Sequence, residues 1–210
     1  MNLLIILAVF TTFTHMTYHS QCEVFIDAPL ETVNKAVDDF IYDMQTDIRH
    51  LGEWAFKCTG EEGGHDSDRD AIAIVYKETF YNPEQKYGYI TIDVKVPALR
   101  TFRDIKISSW MRDTTINDVR HAGVDIDYSG SLLKMADGTF HVKPLKDNLT
   151  SLTLDLNVKF GFFFNLFVTR RVYRNVLEWR LQQIMNNIRE YAEDGKVDCK
   201  YRVKAEIIRE

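Results

Sequence analysis

The first 20 residues, MNLLIILAVFTTFTHMTYHS, contain no Asp, Glu, Lys or Arg. Their apolar run, Leu3 to Phe13, has the length of a signal-peptide core and is shorter than the about 20 residues that a spanning helix needs. Residues 1–20 are therefore read as a leader cut after Ser20, which predicts a secreted or periplasmic protein. The segment also lacks the basic residues that usually open a leader. A buried N-terminal strand or helix in a cytoplasmic protein is the alternative. Cysteine is scarce, with three in the chain and no Cys-x-x-Cys pair, which excludes the usual structural zinc sites. Export would permit a disulfide, and Cys58 with Cys199 is one option that spacing does not decide. Cys22 follows the expected cut, but His19 and Gln21 do not fit a lipid-attachment motif. Basic charge is not in excess: the net charge is −5, so no nucleic-acid partner is expected.

Catalytic patterns are absent too. The histidines, among them His121 and His141, show no metal spacing. Asp66, Asp68 and Asp70 start like a calcium loop, but Ala71 and Lys77 stand where that loop wants Gly and Glu. Ser129 and Ser131 lie in no nucleophile elbow. No cofactor or metal is expected.

What is present is alternation. CEVFIDAP (22–29) reads as a strand ending at Pro29, and the next residues carry Leu30, Val33, Val37, Phe40, Ile41 and Met44 at helical spacing. A glycine-rich, acidic insertion follows. Further strands are predicted over 71–80, 87–96, 100–111, 122–130, 138–145 and 149–160, the fifth following an Asp137-Gly138 turn. The last has the clearest pattern, with Leu152, Leu154, Leu156, Val158 and Phe160 on one face. Short links between strands favour antiparallel pairing. From Phe162 to Glu193 there is no proline or glycine. Phe163, Leu166, Tyr173, Leu177, Leu181, Ile184, Ile188 and Tyr191 share one side, so a long amphipathic helix ends at Gly195. Residues 195–210 form a tail.

The order is strand, helix, antiparallel strands and a long helix, an α+β architecture in which a curved sheet is gripped by the C-terminal helix. In this, and in VFIDAPLETVNKAVDDF and VKFGFFFNLFVTRRVYRNVLEWRLQQIMNNIREYAE, residues 21–194 resemble the START/Bet v 1-like (SRPBCC, helix-grip) superfamily. The resemblance implies a cavity between sheet and helix, and the binding of an apolar or lipid-like small molecule. A cyclase- or hydrolase-like enzyme using the same cavity, or an interaction module with a filled core, are the other readings.

The stretch Phe160 to Phe167 marks where strand turns into helix. The candidate cavity residues are Tyr76, Glu78, Phe163, Phe167, Arg170, Tyr173 and Leu177. Arg170 falls in the apolar arc of the helix. It either reaches the surface or points inward, to hold an acidic ligand head or pair with Glu78. Strict alternation puts Glu78 on the face of Ile72, Ile74 and Tyr76, towards the interior.

Overall fold

The computed structural model describes residues 17–46, 54, 57–58, 73–96, 100–127, 133–161, 170–173 and 178–202. Strand β1 (Thr17–Ile26) is followed by helix α1 (Leu30–Thr46). Six strands come next: β2 (Ala73–Asn82), β3 (Tyr87–Val96), β4 (Arg100–Ile116), β5 (Val119–Asp127), β6 (Leu133–Lys146) and β7 (Leu149–Phe160). The described helical segments after them are α2 (Arg170–Tyr173) and α3 (Trp179–Asp194). The seven strands form one antiparallel sheet in the order β1-β7-β6-β5-β4-β3-β2. Thus β2 to β7 run as a meander and β1 closes on β7.

Period-two patterning decides which face is buried. One rung carries Cys22, Leu154, Phe140 and Ala122 across β1, β7, β6 and β5. These contact the core formed with Val33, Val37 and Ile41 of α1 and Leu181, Met185 and Ile188 of α3. The next rung, Glu23, Thr153, His141 and His121, faces away. Both helices therefore lie on one side of the sheet, as the helix-grip expectation requires. Leu181 is buried and Ile184 half-buried. Leu177, Phe163 and Phe167 lie outside the described residues. Gly195 ends α3 with φ 73°, its N–H bonded to the Tyr191 carbonyl.

Three boundaries differ from the sequence expectation. Tyr18 is buried against Tyr173, with ring centroids 4.4 Å apart, and the Ser20 hydroxyl bonds the Tyr173 hydroxyl at 2.9 Å. Strand β1 thus includes four residues before the expected cut, Thr17 to Ser20, and cleavage after Ser20 would remove them from the sheet. The Asp137-Gly138 turn is also not one: both residues sit inside β6, paired with Asn157 and Leu156. A turn falls instead at Asn117 and Asp118, whose φ of 51° and 63° join β4 to β5 with the backbone sense that suits a tight hairpin. Finally, the tail up to Arg202 is tied down. Cys199 forms a disulfide with Cys58, and the buried Glu190 carboxylate accepts the N–H groups of Asp198 and Lys200.

Arg120 fastens α1 to the sheet. Its guanidinium donates to Asp113 and Asp38, at 2.7 and 2.5 Å, and to the Asn34 carbonyl at 3.3 Å. The hydrogen bond from Arg120 is the main reason that the Asp113 carboxyl is held below its usual value.

Candidate functional site

Between the helices and the sheet lies a cavity of about 270 Å³. The sheet supplies Ile90, Ile107, Val124, Ile126, Leu154 and Leu156, α1 supplies Phe40, Ile41, Met44 and Gln45, and α3 supplies Leu181 and Ile184. No charged side chain is among its described lining residues. The reason is the alternation itself: β3, β4, β5 and β7 place branched aliphatic residues on this face, and β6 adds Ala136, Gly138 and Phe140. Gly138 leaves room in the floor. A methyl group there would meet Leu156 and Leu154 at 3.6 and 3.9 Å, ordinary contact distances.

Three of its lining side chains carry polar groups, Tyr89, Ser109 and Gln45, and the Tyr89 hydroxyl donates to Glu78 at 2.9 Å. Ser109 directs its hydroxyl to the Gly88 carbonyl at 3.5 Å. Gln45, in the last turn of α1, is 6% exposed, and neither its Oε1 nor its Nε2 has a hydrogen-bond partner. An unsatisfied buried amide costs about 1–3 kcal/mol, so such groups are uncommon in proteins. Gln45 was open to detection in the sequence. It continues Val33, Val37 and Ile41 at steps of four, a polar residue on a buried arc.

The expected site residues scatter. Tyr76 pairs with the buried Ile92 across β2 and β3, its side chain lying outside what is described. Glu78 does not face the interior. A bulge at Lys77 breaks the alternation, so Glu78 pairs with Thr91 and is exposed, accepting the Tyr89 hydroxyl at 2.9 Å. Arg170 is exposed as well and does not line the cavity; the solvent-facing reading holds for it. Its charge offsets part of the rise that burial imposes on the Tyr18 hydroxyl pKa. Tyr173 is buried, but it packs on β1 against Tyr18 rather than in the cavity. Burial pushes its hydroxyl pKa up, opposed by the bond to Ser20.

Two other constellations were not legible as linear spacing. Cross-strand pairing sets His121 beside His141, with their Nδ1 atoms 2.8 Å apart, and His141 Nε2 lies 2.8 Å from Asp155. If His141 donates from Nε2 to Asp155, its Nδ1 can accept from His121, which gives a satisfied line across the outer face. Among the described residues no group of three potential ligands is arranged to hold a metal. The second is a groove of about 610 Å³ between α1, the Trp54–Cys58 region and the end of α3. Its polar groups pair with each other: Trp54 donates to Asp43, and Tyr191 and Lys35 both bond Asp39.

By element order and helix placement, this is the α+β helix-grip architecture of START/Bet v 1-like proteins, with an apolar cavity where sheet and helices meet. No protein-family model matches the chain, and no curated protein does. Solved structures do. The Zhui aromatase/cyclase from Streptomyces sp. R1128 is 14% identical with a TM-score of 0.47, over 84% of this chain and 94% of that one. Truncated norcoclaurine synthase from Thalictrum flavum is 9% identical with a TM-score of 0.46, over 85% and 94%. A START superfamily protein from Mycobacterium smegmatis is 14% identical with a TM-score of 0.43, over 82% and 97%. At such values these likenesses carry no argument about ligand or reaction.

Proposed function

We propose that the protein binds a small apolar molecule between its sheet and helices without transforming it. The observation that carries this is the cavity, lined mostly by aliphatic and aromatic side chains and, among the described residues, by no charged one. Ligand sites are typically concave and apolar with few polar groups, over about 300–1,000 Å³. At about 270 Å³ this cavity lies just below that range and holds the volume of about nine water molecules. It suits one ring system or one short chain better than a two-chain lipid. The enzyme reading has less support, because Glu78 and Arg170, which were to supply polar chemistry, stand outside.

Filling the cavity tests the proposal. Gly138→Val should direct its methyls into free space while keeping the backbone of β6. Wild-type protein should bind N-phenyl-1-naphthylamine, a neutral apolar fluorophore, and the variant should bind it at least about tenfold more weakly at an unchanged Tm. Equal binding by both proteins, or none by the wild type, would reject a cavity site.

Export is part of the same reading. A disulfide that closes a 141-residue separation suits an oxidising compartment. None of the described helices is long and apolar enough to cross a membrane. Because Tyr18 and Ser20 are built into the fold, we place any leader cleavage before Thr17. Intact mass of protein from its native host should show a chain that starts at or before Thr17 and lacks Met1 to Phe10. A chain that starts at Gln21, or that keeps Met1, contradicts this.

A further inference from the structure

The outer face of the sheet, opposite the cavity, carries a histidine pair that the ligand-binding reading does not use. His121 of β5 and His141 of β6 are direct cross-strand partners, and their Nδ1 atoms lie 2.8 Å apart. Two imidazole nitrogens meet this closely when a proton, or a metal ion in its place, is shared between them. The far nitrogen of His141 is placed to favour the metal. Its Nε2 lies 2.8 Å from the Asp155 carboxylate of β7, which takes the Nε2–H and leaves Nδ1 as an electron-pair donor. A carboxylate behind the far nitrogen is the usual support of a metal-ligating histidine: it fixes the tautomer and the ring, and it raises the basicity of the ligating nitrogen. We propose that His121 and His141 bind a divalent transition metal, copper(II) foremost, through their Nδ1 atoms, with Asp155 as the positioning residue. The site stands on the opposite face from the cavity and does not depend on it.

The distance selects the metal. Metal–imidazole bonds of about 2.0–2.1 Å that meet at a right angle put their nitrogens about 2.9 Å apart, whereas a tetrahedral angle needs about 3.4 Å. The observed 2.8 Å suits the right angle of tetragonal copper(II) and nickel(II) sites better than the tetrahedron of zinc. Without metal the same two side chains are joined by one N–H···N bond. Binding asks His121 only to change tautomer, its proton passing from Nδ1 to Nε2 by exchange with water. Access is open: the His141 side chain is 28% exposed, His121 is half-buried, and α1 and α3 both pack on the other face. Two nitrogens are the protein's share, and water or an outside ligand fills the remaining positions. The charges nearby suit a cation. Asp155 stands behind His141 and also lies 3.7 Å from His19 Nε2, while Arg112 of β4 is bound to Asp125. Both ligands sit on paired strands, which hold their spacing more firmly than loops would.

Histidine ring signals of untagged, 15N-labelled protein decide it. At pH 7, substoichiometric copper(II) chloride should broaden the ring resonances of His121 and His141 before those of any other histidine. In calorimetric titrations His121→Gln and His141→Gln should each lose the tightest copper-binding event, while their metal-free Tm stays close to that of the wild type. Asp155→Asn should keep that event but weaken it roughly tenfold to a hundredfold. Zinc chloride should bind the wild type more weakly than copper does. Broadening that starts at other histidines, or a tightest event that survives in both histidine variants, would overturn the proposal. Zinc binding as tight as that of copper would overturn the choice of metal, and an unchanged affinity in Asp155→Asn would overturn the part given to Asp155. Assigning the ring signals through the backbone keeps the broadening test in force should either histidine variant fail to fold.

Discussion

Two buried glutamines sit in this molecule under opposite conditions. Gln183 is 1% exposed and belongs to a saturated network: it donates to Asn187, whose own amide donates to the Trp54 carbonyl at 2.7 Å and the Lys57 carbonyl at 3.3 Å. The Cys58–Cys199 disulfide staples the same region. Gln45 is nearly as buried, yet bonds to nothing. The sequence type is the same, so the difference lies in what surrounds each side chain. Around Gln183 the chain brings a second amide within reach, and through it the Trp54 and Lys57 carbonyls are held on α3. Around Gln45 no group answers either atom of the amide. One region uses buried polarity for rigidity, and the other leaves it unsatisfied.

The largest effect should come from breaking the rigid region. Replacing Cys58 and Cys199 by serine releases a loop of 141 residues and should cost roughly 2–5 kcal/mol in urea denaturation. Asn187→Ala should follow, at about 2–4 kcal/mol, because it removes the buried amide that accepts from Gln183 and donates to the Trp54 and Lys57 carbonyls. Gln45→Leu in the same assay should have the opposite sign, a gain of about 1–2 kcal/mol. A loss at Gln45 as large as that at Asn187 would erase the contrast between the two regions.

The smallest effect is a pH dependence confined to the rigid side. Burial raises the Glu193 pKa, but this is outweighed by hydrogen bonds from the Tyr201 hydroxyl, the Asp27 N–H and Arg189, so the folded value lies below the ordinary glutamate value. A carboxyl lowered in this way contributes stability above its unfolded pKa and loses it as pH falls through the folded one. Tm measured from pH 6 to pH 3 should therefore drop more steeply in the wild type than in Glu193→Gln, with the excess drop below about pH 5. The Tm difference between wild type and Gln45→Leu should stay flat over that range, because an amide does not titrate.

Much of this arrangement was legible in the chain. Strong alternation located β3 and β7 to the residue, and Gly195 marked the end of α3. What failed did so for local reasons. Asp137-Gly138 has the composition of a turn, but its neighbours pair on both sides and extend the strand through it. Glu78 was assigned inward by counting in twos, and a single extra residue at Lys77 reversed the count. Bulges leave no clear mark in an alternating pattern. The His121–His141 contact depends on strand register, which linear spacing does not reveal. Arg170 carried the right charge on an apolar arc, but lies where it can reach water. Gln45 is the reverse case, a neutral polar residue on a buried arc that forms part of no motif.

The most direct measurement compares the two side-chain amides in one sample. In a 15N-labelled protein the NH2 resonances of Gln45 and Gln183 can be assigned by their loss in Gln45→Leu and Gln183→Leu. On saturation with N-phenyl-1-naphthylamine, the Gln45 pair, beside the cavity, should shift, while the Gln183 pair, bonded to Asn187, should stay in place. A Gln45 pair that remains unchanged while the probe binds, or a Gln183 pair that moves in its stead, would contradict the account.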